Sequence, residues 1–517
     1  MHIFQLILGM FVRKKKNKSG SVSVQILQKQ YGKNKLVQSV GSAFEESDIA
    51  RLVAKAHYQI YLLTRQRSLF ISEQDVSVES FISEVSNAQI RTIGPELVFG
   101  KIYDHIGYNK IDEELFRHLV IARLAFPLSK LKTIEYLYRY QGVMLNLDTV
   151  YRFLDKLNDK LKDQVEQISF HHTKKILANN LSIVFYDMTT LYFEASDEDD
   201  LRKTGFSKDG RPGSPQIYLG LLVALGGYAI GYEIFEGNIY EGHTFISAIE
   251  KLSHKFNLGK PVIVADSGLL SNDNIKALVK QGYQYIIGAR IKNESNVVKS
   301  QILSKEFKHG DYIVIDKGDN RLIVHYSEGR AAKDYYNRER GLKRLEKKIK
   351  SGKLTKNHIN NRGYNKYLKM EGSITISIDQ QKYEQDFKWD GLKGYLTNCK
   401  EEPQLIIRNY KNLWYIERAF RMSKTDLRIR PVYHRLRRRI EAHICLSFVA
   451  YSIYKELERV LKKANYPLSV EKAAEITRNM YQIEVILPQS KHIRNITLKM
   501  DEWQTQLIQI VAKYFTG

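Results

Sequence analysis

The chain has 517 residues, several times the length at which one domain buries an adequate core, so two to four structural units are expected. Its 81 Lys and Arg against 57 Asp and Glu give a formal charge of +24, which points to a polyanionic partner, nucleic acid before a membrane surface. Cys399 and Cys445 lie in no CxxC pattern and beside no histidine pair; this excludes a disulfide framework and structural zinc and fits a reducing cytosol.

The first ten residues, MHIFQLILGM, are apolar, but the basic cluster 13–16 follows them, the reverse of a secretory signal. They are too short to span a bilayer, and no other run is apolar enough, so no transmembrane helix and no membrane partner are expected. A true start at Met10 accounts for them. Residues 1–44 then read as a basic arm and a β-hairpin around a Gly-Lys-Asn turn, with SVSVQIL and LVQSVG as its strands.

Residues 45–175 read as helical. Within them SKLKTIEYLYRYQG and NLDTVYRFLDKLND form two amphipathic helices, the first ending at Gly142 and the second capped by Asn146 or Asp148. This is a helix-turn-helix-like pair suited to DNA, and equally an ordinary core pair.

From 176 to 295 the character is α/β. LSIVFYD ends in Asp187, IYLGLLVAL and YAIGYEIF flank Gly226-Gly227, a helix covers HTFISAIEKLSHKF, PVIVAD ends in Asp266, and a helix over SNDNIKALVKQG precedes YQYIIGAR. The order β-β-β-α-β-α-β predicts a ribonuclease-H-like mixed five-stranded sheet. Residues 296–395 interrupt it with further strands (DYIVID, RLIVHY, SITISID) and a basic helix. Between 333 and 356 the segment carries ten Lys or Arg against three Asp or Glu, a charge run that also suits a solvated face. Residues 396–464 resume the core, with the basic run 435–439 before a long amphipathic helix, and 465–517 form a C-terminal region.

Two aspartates at adjacent strand ends can converge on a pair of metal ions, the requirement of phosphodiester hydrolysis or transesterification, although a lone strand-end aspartate is also an ordinary cap. The acidic cluster 197–200 offers alternative ligands. In YKNLWYIERAFRMSK, Tyr410, Glu417 and Lys424 are spaced seven apart, so on one continuous helix they share a face. Glu417 with Arg421 at i+4 is also plain surface ion-pair chemistry.

These motifs resemble the DDE transposases of bacterial insertion sequences that carry the Tyr-Arg-Glu-Lys signature, Y-(2)-R-(3)-E-(6)-K. Tyr410, Glu417 and Lys424 match the spacing; Leu413 stands where the pattern has Arg, and Arg408, Arg418 and Arg421 are the nearby substitutes. YDMTTLYFE, GFSKDGRPGSPQIYLGLLV, EGNIYEG, VIVADSGLLS and WDGLKGYLTN are similar to the family as well. The resemblance implies that Asp187, Asp266 and Glu417 hold two Mg²⁺ ions, with Mn²⁺ able to substitute. It implies that Tyr410 and Lys424 contact DNA phosphates beside the cut, with Arg421 among the substitutes for the missing Arg; the charge of the basic run 435–439 separately makes Arg437 and Arg438 candidates for the DNA surface. Residues 296–395 correspond to the family's β-rich insertion, where Trp389 would stack on an extruded base; an aromatic there also serves a core. The implied activity is cleavage at terminal inverted repeats and transfer of 3′-OH ends to target DNA, by a homodimer on double-stranded DNA at the cytoplasmic nucleoid. A ribonuclease-H-like nuclease without joining activity and a catalytically silent DNA-binding regulator are the alternatives.

Overall fold

The computed structural model describes residues 9–64, 78–79, 81–83, 85–269, 271–352, 354, 358–360, 363–371, 375–487 and 492–515. Most of the apolar N-terminal segment lies outside them. The chain divides into two compact units, Met1–Ile90 with Ile483–Ile496, and Arg91–Gln482 with Thr497–Gly517.

In the first unit, β1 (Met10–Lys16), β2 (Val22–Gln30) and β3 (Lys33–Ala43) form an antiparallel sheet in that order, and helix Glu46–Thr64 packs on it through Ile49 and Ala56 against Val24 and Ile26. The expected basic arm is therefore an edge strand, paired from Met10↔Gln28 to Lys16↔Val22. Its row of exposed Lys side chains suits an edge, where charge discourages pairing with another chain. The hairpin turns at Tyr31 and Gly32, sharing only Gly32 with the expected Gly-Lys-Asn, whose Lys33 and Asn34 already belong to β3. Tyr31 and Gly32 both have positive φ, the conformation whose twist matches the flanking strands.

The second unit contains the functional core. After β4 (Ile90–Thr92), a helical region includes Glu114–Ala125, Lys130–Tyr136, Leu147–Lys156 and Lys162–Ile176. The expected helix pair is present: Gly142 closes the first at φ +70°, and the Asn146 side chain caps the second by accepting the Thr149 N–H at 2.7 Å. Val150, Phe153 and Leu154 of the second helix are buried in the main core, and Asp155 pairs with Arg438 and Arg439 of helix Arg437–Lys463.

The sheet comprises β5 (Ile183–Tyr192), β6 (Gln216–Ala224), β7 (Ala229–Glu236), β8 (Val262–Ala265), β9 (Tyr285–Ala289), β10 (Tyr312–Lys317) and β11 (Asn320–Tyr326). A small hairpin follows, β12 (Leu368–Glu371) and β13 (Thr375–Ile378), and then β14 (Leu392–Thr397) returns to the sheet. Strand order is β10-β11-β14-β9-β8-β5-β6-β7, a mixed sheet of eight strands where five were expected. Two of the three strands expected in the insertion, DYIVID and RLIVHY, extend the sheet as β10 and β11 through β14, which pairs antiparallel with β9, while SITISID lies apart in the β12–β13 hairpin. Without β14, β9 would present a bare row of N–H and C=O groups at the sheet edge.

Alternation along the strands gives the central sheet two buried faces. Val184, Tyr186, Ile263 and Ala265 meet helices Glu241–Phe256 and Asn272–Lys280 through Phe245, Ile249, Leu252 and Leu278. Phe185, Leu221 and Val264 face the other way, toward Ile406, Ile416, Phe420 and the long helix Arg437–Lys463. Among the described residues no helix is long and apolar enough to cross a membrane.

Candidate active site

Strands β5 and β8 run parallel in the register Ile183↔Val262 through Tyr186↔Ala265. Asp187 and Asp266 are the next residue on each, so they stand side by side, about one strand spacing of ~4.8 Å apart. By alternation they share the face of Phe185 and Val264. The structure corrects one detail: β5 continues past Asp187 to Tyr192 because β6 pairs along its whole length, and only β8 stops at this point.

Each aspartate is held. Asp187 Oδ1 accepts the Met188 N–H at 2.7 Å and lies 3.9 Å from Lys208 Nζ, which itself donates to the Met188 carbonyl at 2.6 Å. Asp266 Oδ1 accepts the Tyr410 hydroxyl at 3.0 Å. Burial, reinforced by the Asp266 charge, pushes the Tyr410 phenol well above its ordinary value and keeps it a donor. The ring stacks obliquely on Tyr395 at 4.8 Å and occupies the space that a side chain at Gly288 of β9 would take.

The segment bearing Glu417 is not the single helix expected. Helix Pro403–Lys411 ends in a tight turn, with Leu413 N–H bonded to Tyr410 O and Ile416 N–H to Leu413 O; Trp414–Arg421 follows, and then a wide π-turn, Met422–Asp426. A narrow turn and a wide one interrupt the 3.6-residue period, so a spacing of seven no longer gives one common face. Tyr410 reaches Asp266, whereas Lys424 Nζ is buried 3.0 Å from Asp209 Oδ1, and Arg430 holds the other oxygen of Asp209 at 2.5 Å. Burial lowers the Lys424 ammonium and Asp209 draws it partly back. Since Asp209 follows Lys208, the segment spans the site with Tyr410 on the Asp266 side and Lys424 beside the loop that reaches Asp187.

Glu417 is exposed and lines a cavity of about 350 Å³ with Asp266, Tyr410, His325, Arg330 and Lys393. Among the described residues it has no ion-pair partner, Arg421 included. Burial lowers the Lys393 ammonium, while Asp266 and Glu417 pull it upward. His325, Arg330 and Lys393 come from β11, the helix after it and β14. Sequence reading missed them because their nearness to Asp266 exists only through the sheet extension. Asp187 and Asp266 are thus joined by register, and Asp266 and Glu417 by one cavity. Even so, among the described residues no three His, Cys, Asp or Glu side chains form a group that could hold a metal ion. The expected meeting of all three carboxylates is not preassembled. The oxygen-only donor set fits Mg²⁺ or Mn²⁺.

The remaining expected residues fall elsewhere. Trp389 packs on the small core of Ile302, Leu322 and Leu392 under the outer strands, while Trp414, overlooked in the sequence, is 43% exposed beside Glu417 with Arg418 over its ring. Arg421 is exposed, Arg437 pairs with Glu441, and Arg438 pairs with Asp155 at 3.0 Å. Asp199, in the acidic cluster, holds Arg202 Nε at 2.7 Å and accepts the Leu201 and Arg202 N–H groups, a loop clasp rather than a surface carboxylate.

The candidate site is therefore two aspartates side by side on one face of a mixed sheet, with a glutamate across a cationic cavity. The chain belongs to the transposase DDE domain family, whose model matches residues 179–453. No curated protein sequence matches it. Among solved structures, the piggyBac transposase synaptic complex with hairpin DNA aligns with a TM-score of 0.37 at 10% identity, covering 75% of this chain and 78% of its own. The Drosophila P element transposase strand transfer complex aligns at 0.15 and 14% identity over 91% and 98%, and the Mos1 mariner paired end complex with Mn at 0.15 and 13% over 45% and 72%. Alignments this loose say nothing about the ligands or assembly of this chain.

Two outcomes follow from the packing. Gly288→Ala should destabilise the protein by roughly 1–3 kcal/mol, by overpacking against Tyr410. Adding Tyr410→Phe should restore part of that loss in chemical denaturation, and no recovery would contradict the packing. In the π-turn, burial and neighbouring Glu471 raise the Asp426 carboxyl to about 7. Its folded value exceeds its unfolded one, so its contribution is full below about pH 4 and is lost as pH rises toward 7. Asp426→Asn should flatten stability between pH 4 and 7, and an unchanged profile would remove Asp426 as the cause.

Proposed function

We propose that this chain is the transposase of a bacterial insertion sequence. It binds the terminal inverted repeats, cleaves the DNA ends and transfers their 3′-OH groups to target DNA, with two Mg²⁺ or Mn²⁺ ions held by Asp187, Asp266 and Glu417. The observation that carries the reading is the parallel register placing Asp187 beside Asp266, with Glu417 across the same cavity. The strands β7-β6-β5-β8-β9 support a ribonuclease-H-like core, since the first three are antiparallel in chain order and the last two join in parallel.

Bound among these carboxylates, the ions would supply activation of the attacking oxygen and stabilisation of the leaving one. The chain's own groups do the rest. Tyr410 orients Asp266, and Lys208 balances Asp187. Arg330 and Lys393 place positive charge on the cavity wall, where phosphate oxygens gain charge during displacement. Lys424 acts through Asp209 by fixing the Lys208 loop instead of meeting DNA directly. No covalent protein intermediate is needed, because positioning and charge account for the catalysis. Joint cleavage of two ends implies a homodimer bridging paired repeats. Trp414, exposed beside Glu417, is better placed than Trp389 to stack on an unpaired base.

Asp187→Asn, Asp266→Asn and Glu417→Gln should each abolish cleavage of a duplex carrying an element end while leaving its binding nearly unchanged, because phosphate contacts come mainly from Lys and Arg. Cleavage at near wild-type rate by any one variant removes that residue from the site. DNA affinity should also fall steeply with salt through counterion release. Replacing Arg437 and Arg438 by Ala should flatten that slope; Arg439 is left in place because its two bonds to Asp155, 2.9 and 3.0 Å, keep that carboxylate paired once the single Arg438 contact is removed. An affinity insensitive to salt would contradict phosphate-dominated binding.

A further inference from the structure

A second cavity, of about 650 Å³, opens beside the segment that follows the π-turn. Arg123, Lys130, Arg428, Arg430, His434 and His443 line it, with no Asp or Glu among its lining residues. Arg123 and Lys130 are 7% and 8% exposed, so two cationic side chains are more than nine-tenths buried without a carboxylate beside them. Arg123 reaches only the Leu427 and Arg428 carbonyls, both at 3.3 Å, and His443 Nδ1 at 3.4 Å; Lys130 Nζ stands 3.5 Å from the same nitrogen. His443 Nε2 donates to the Ile429 carbonyl at 2.9 Å, which leaves Nδ1 as an acceptor and the ring neutral. Asp155 is an acid that acts on His434 of this group, and Arg438 and Arg439 already pair with it.

Buried charge without a counter-charge is costly, and a bound anion would offset that cost. Burial and the Arg123 charge hold the Lys130 ammonium well below its ordinary value, and burial brings Arg123 down to about 10. The cavity falls in the roughly 300–1,000 Å³ range of sites that take a whole organic ligand. Its walls include Tyr151, Tyr433, Pro127 and Pro431, flat surfaces suited to a base or sugar. It also adjoins the site described above. Val432 N–H bonds to Tyr192 O at 3.2 Å at the end of β5, about 17 Å along that strand from Asp187 at ~3.3 Å per residue, and Arg430 joins the cavity to Asp209.

We propose that this cavity binds the terminal phosphate monoester of a nucleotide, carried at the 5′ end of a DNA strand. Arg123 and Lys130, which a bound anion would favour in their protonated forms, match a monoester, with its charge of about −1.5 to −2, better than a diester passing along a groove. Committing the monoester to DNA rests on the transposase reading, although the pocket's charge does not.

The test compares binding of short oligonucleotides that differ only in a 5′-phosphate or 5′-hydroxyl, with dAMP and inorganic phosphate as competitors. The wild-type protein should prefer the phosphorylated strand by about tenfold, as expected for charge-assisted bonds to a dianion. Lys130→Met and the exposed-residue variant Arg428→Ala should each bring the two strands close to parity. Lys130→Met should keep or raise the melting temperature, where a purely structural lysine would lower it. Equal binding of the two strands by the wild type overturns the proposal, as does a preference that survives both variants. Competition by dAMP or phosphate as strong as by the oligonucleotide overturns its assignment to DNA. Failure of the wild type to bind any DNA would instead overturn the transposase reading, so the two failures are distinguishable.

Discussion

The parallel pairing of β5 with β8 sets the geometry on which the site depends. A single residue's slip in that register would send Asp187 or Asp266 to the opposite face, among Tyr186 and Ala265, and the two carboxylates would part. The register is secured by burial on both faces: Phe185 and Val264 pack under the Glu417 helix layer, and Val184 and Ile263 under the helices on the other side. Adjacent carboxylates repel each other. Lys208 near one and the Tyr410 hydroxyl on the other offset that repulsion in the folded chain.

The extension of the sheet gives the region between Asp266 and Glu417 a physical purpose beyond length. By pairing with β9, β14 brings Lys393 and Tyr395 beside Asp266, and β11 with the helix after it adds His325 and Arg330. The same stretch that covers an exposed edge therefore supplies the positive wall of the site. On the other flank the π-turn carries Lys424 to Asp209, and the chain continues through Arg430 into the second basic cavity. Positive charge thus runs past the carboxylates on both sides, a layout suited to a strand of phosphates crossing the sheet end.

Much of this was legible in the sequence where the signal is local. Apolar runs fixed the strands around Asp187 and Asp266, and turn and cap chemistry placed Gly142 and Asn146 correctly. The family match over residues 179–453 agrees with the motifs that suggested it. What escaped was non-local. Nothing in LKGYLT says that it will pair with YIIGA, since an apolar alternation does not name its partner strand. Periodicity of seven around Glu417 assumed an uninterrupted helix, and neither the tight turn at Leu413 nor the wide one at 422–426 has a Pro or Gly to announce it. The charge run 13–16 read as an arm because edge strands and solvated tails share a composition.

The central proposal is that Asp187, Asp266 and Glu417 serve one metal centre; the strand register sets Asp187 beside Asp266, and one cavity joins Asp266 to Glu417. Anomalous scattering from crystals soaked in Mn²⁺ tests it most directly. The account predicts manganese bound by both Asp187 and Asp266, with Glu417 drawn in to complete the ligand set. Manganese at saturating concentration that leaves the Asp187–Asp266 pair empty, or that orders only at other carboxylates, would contradict it.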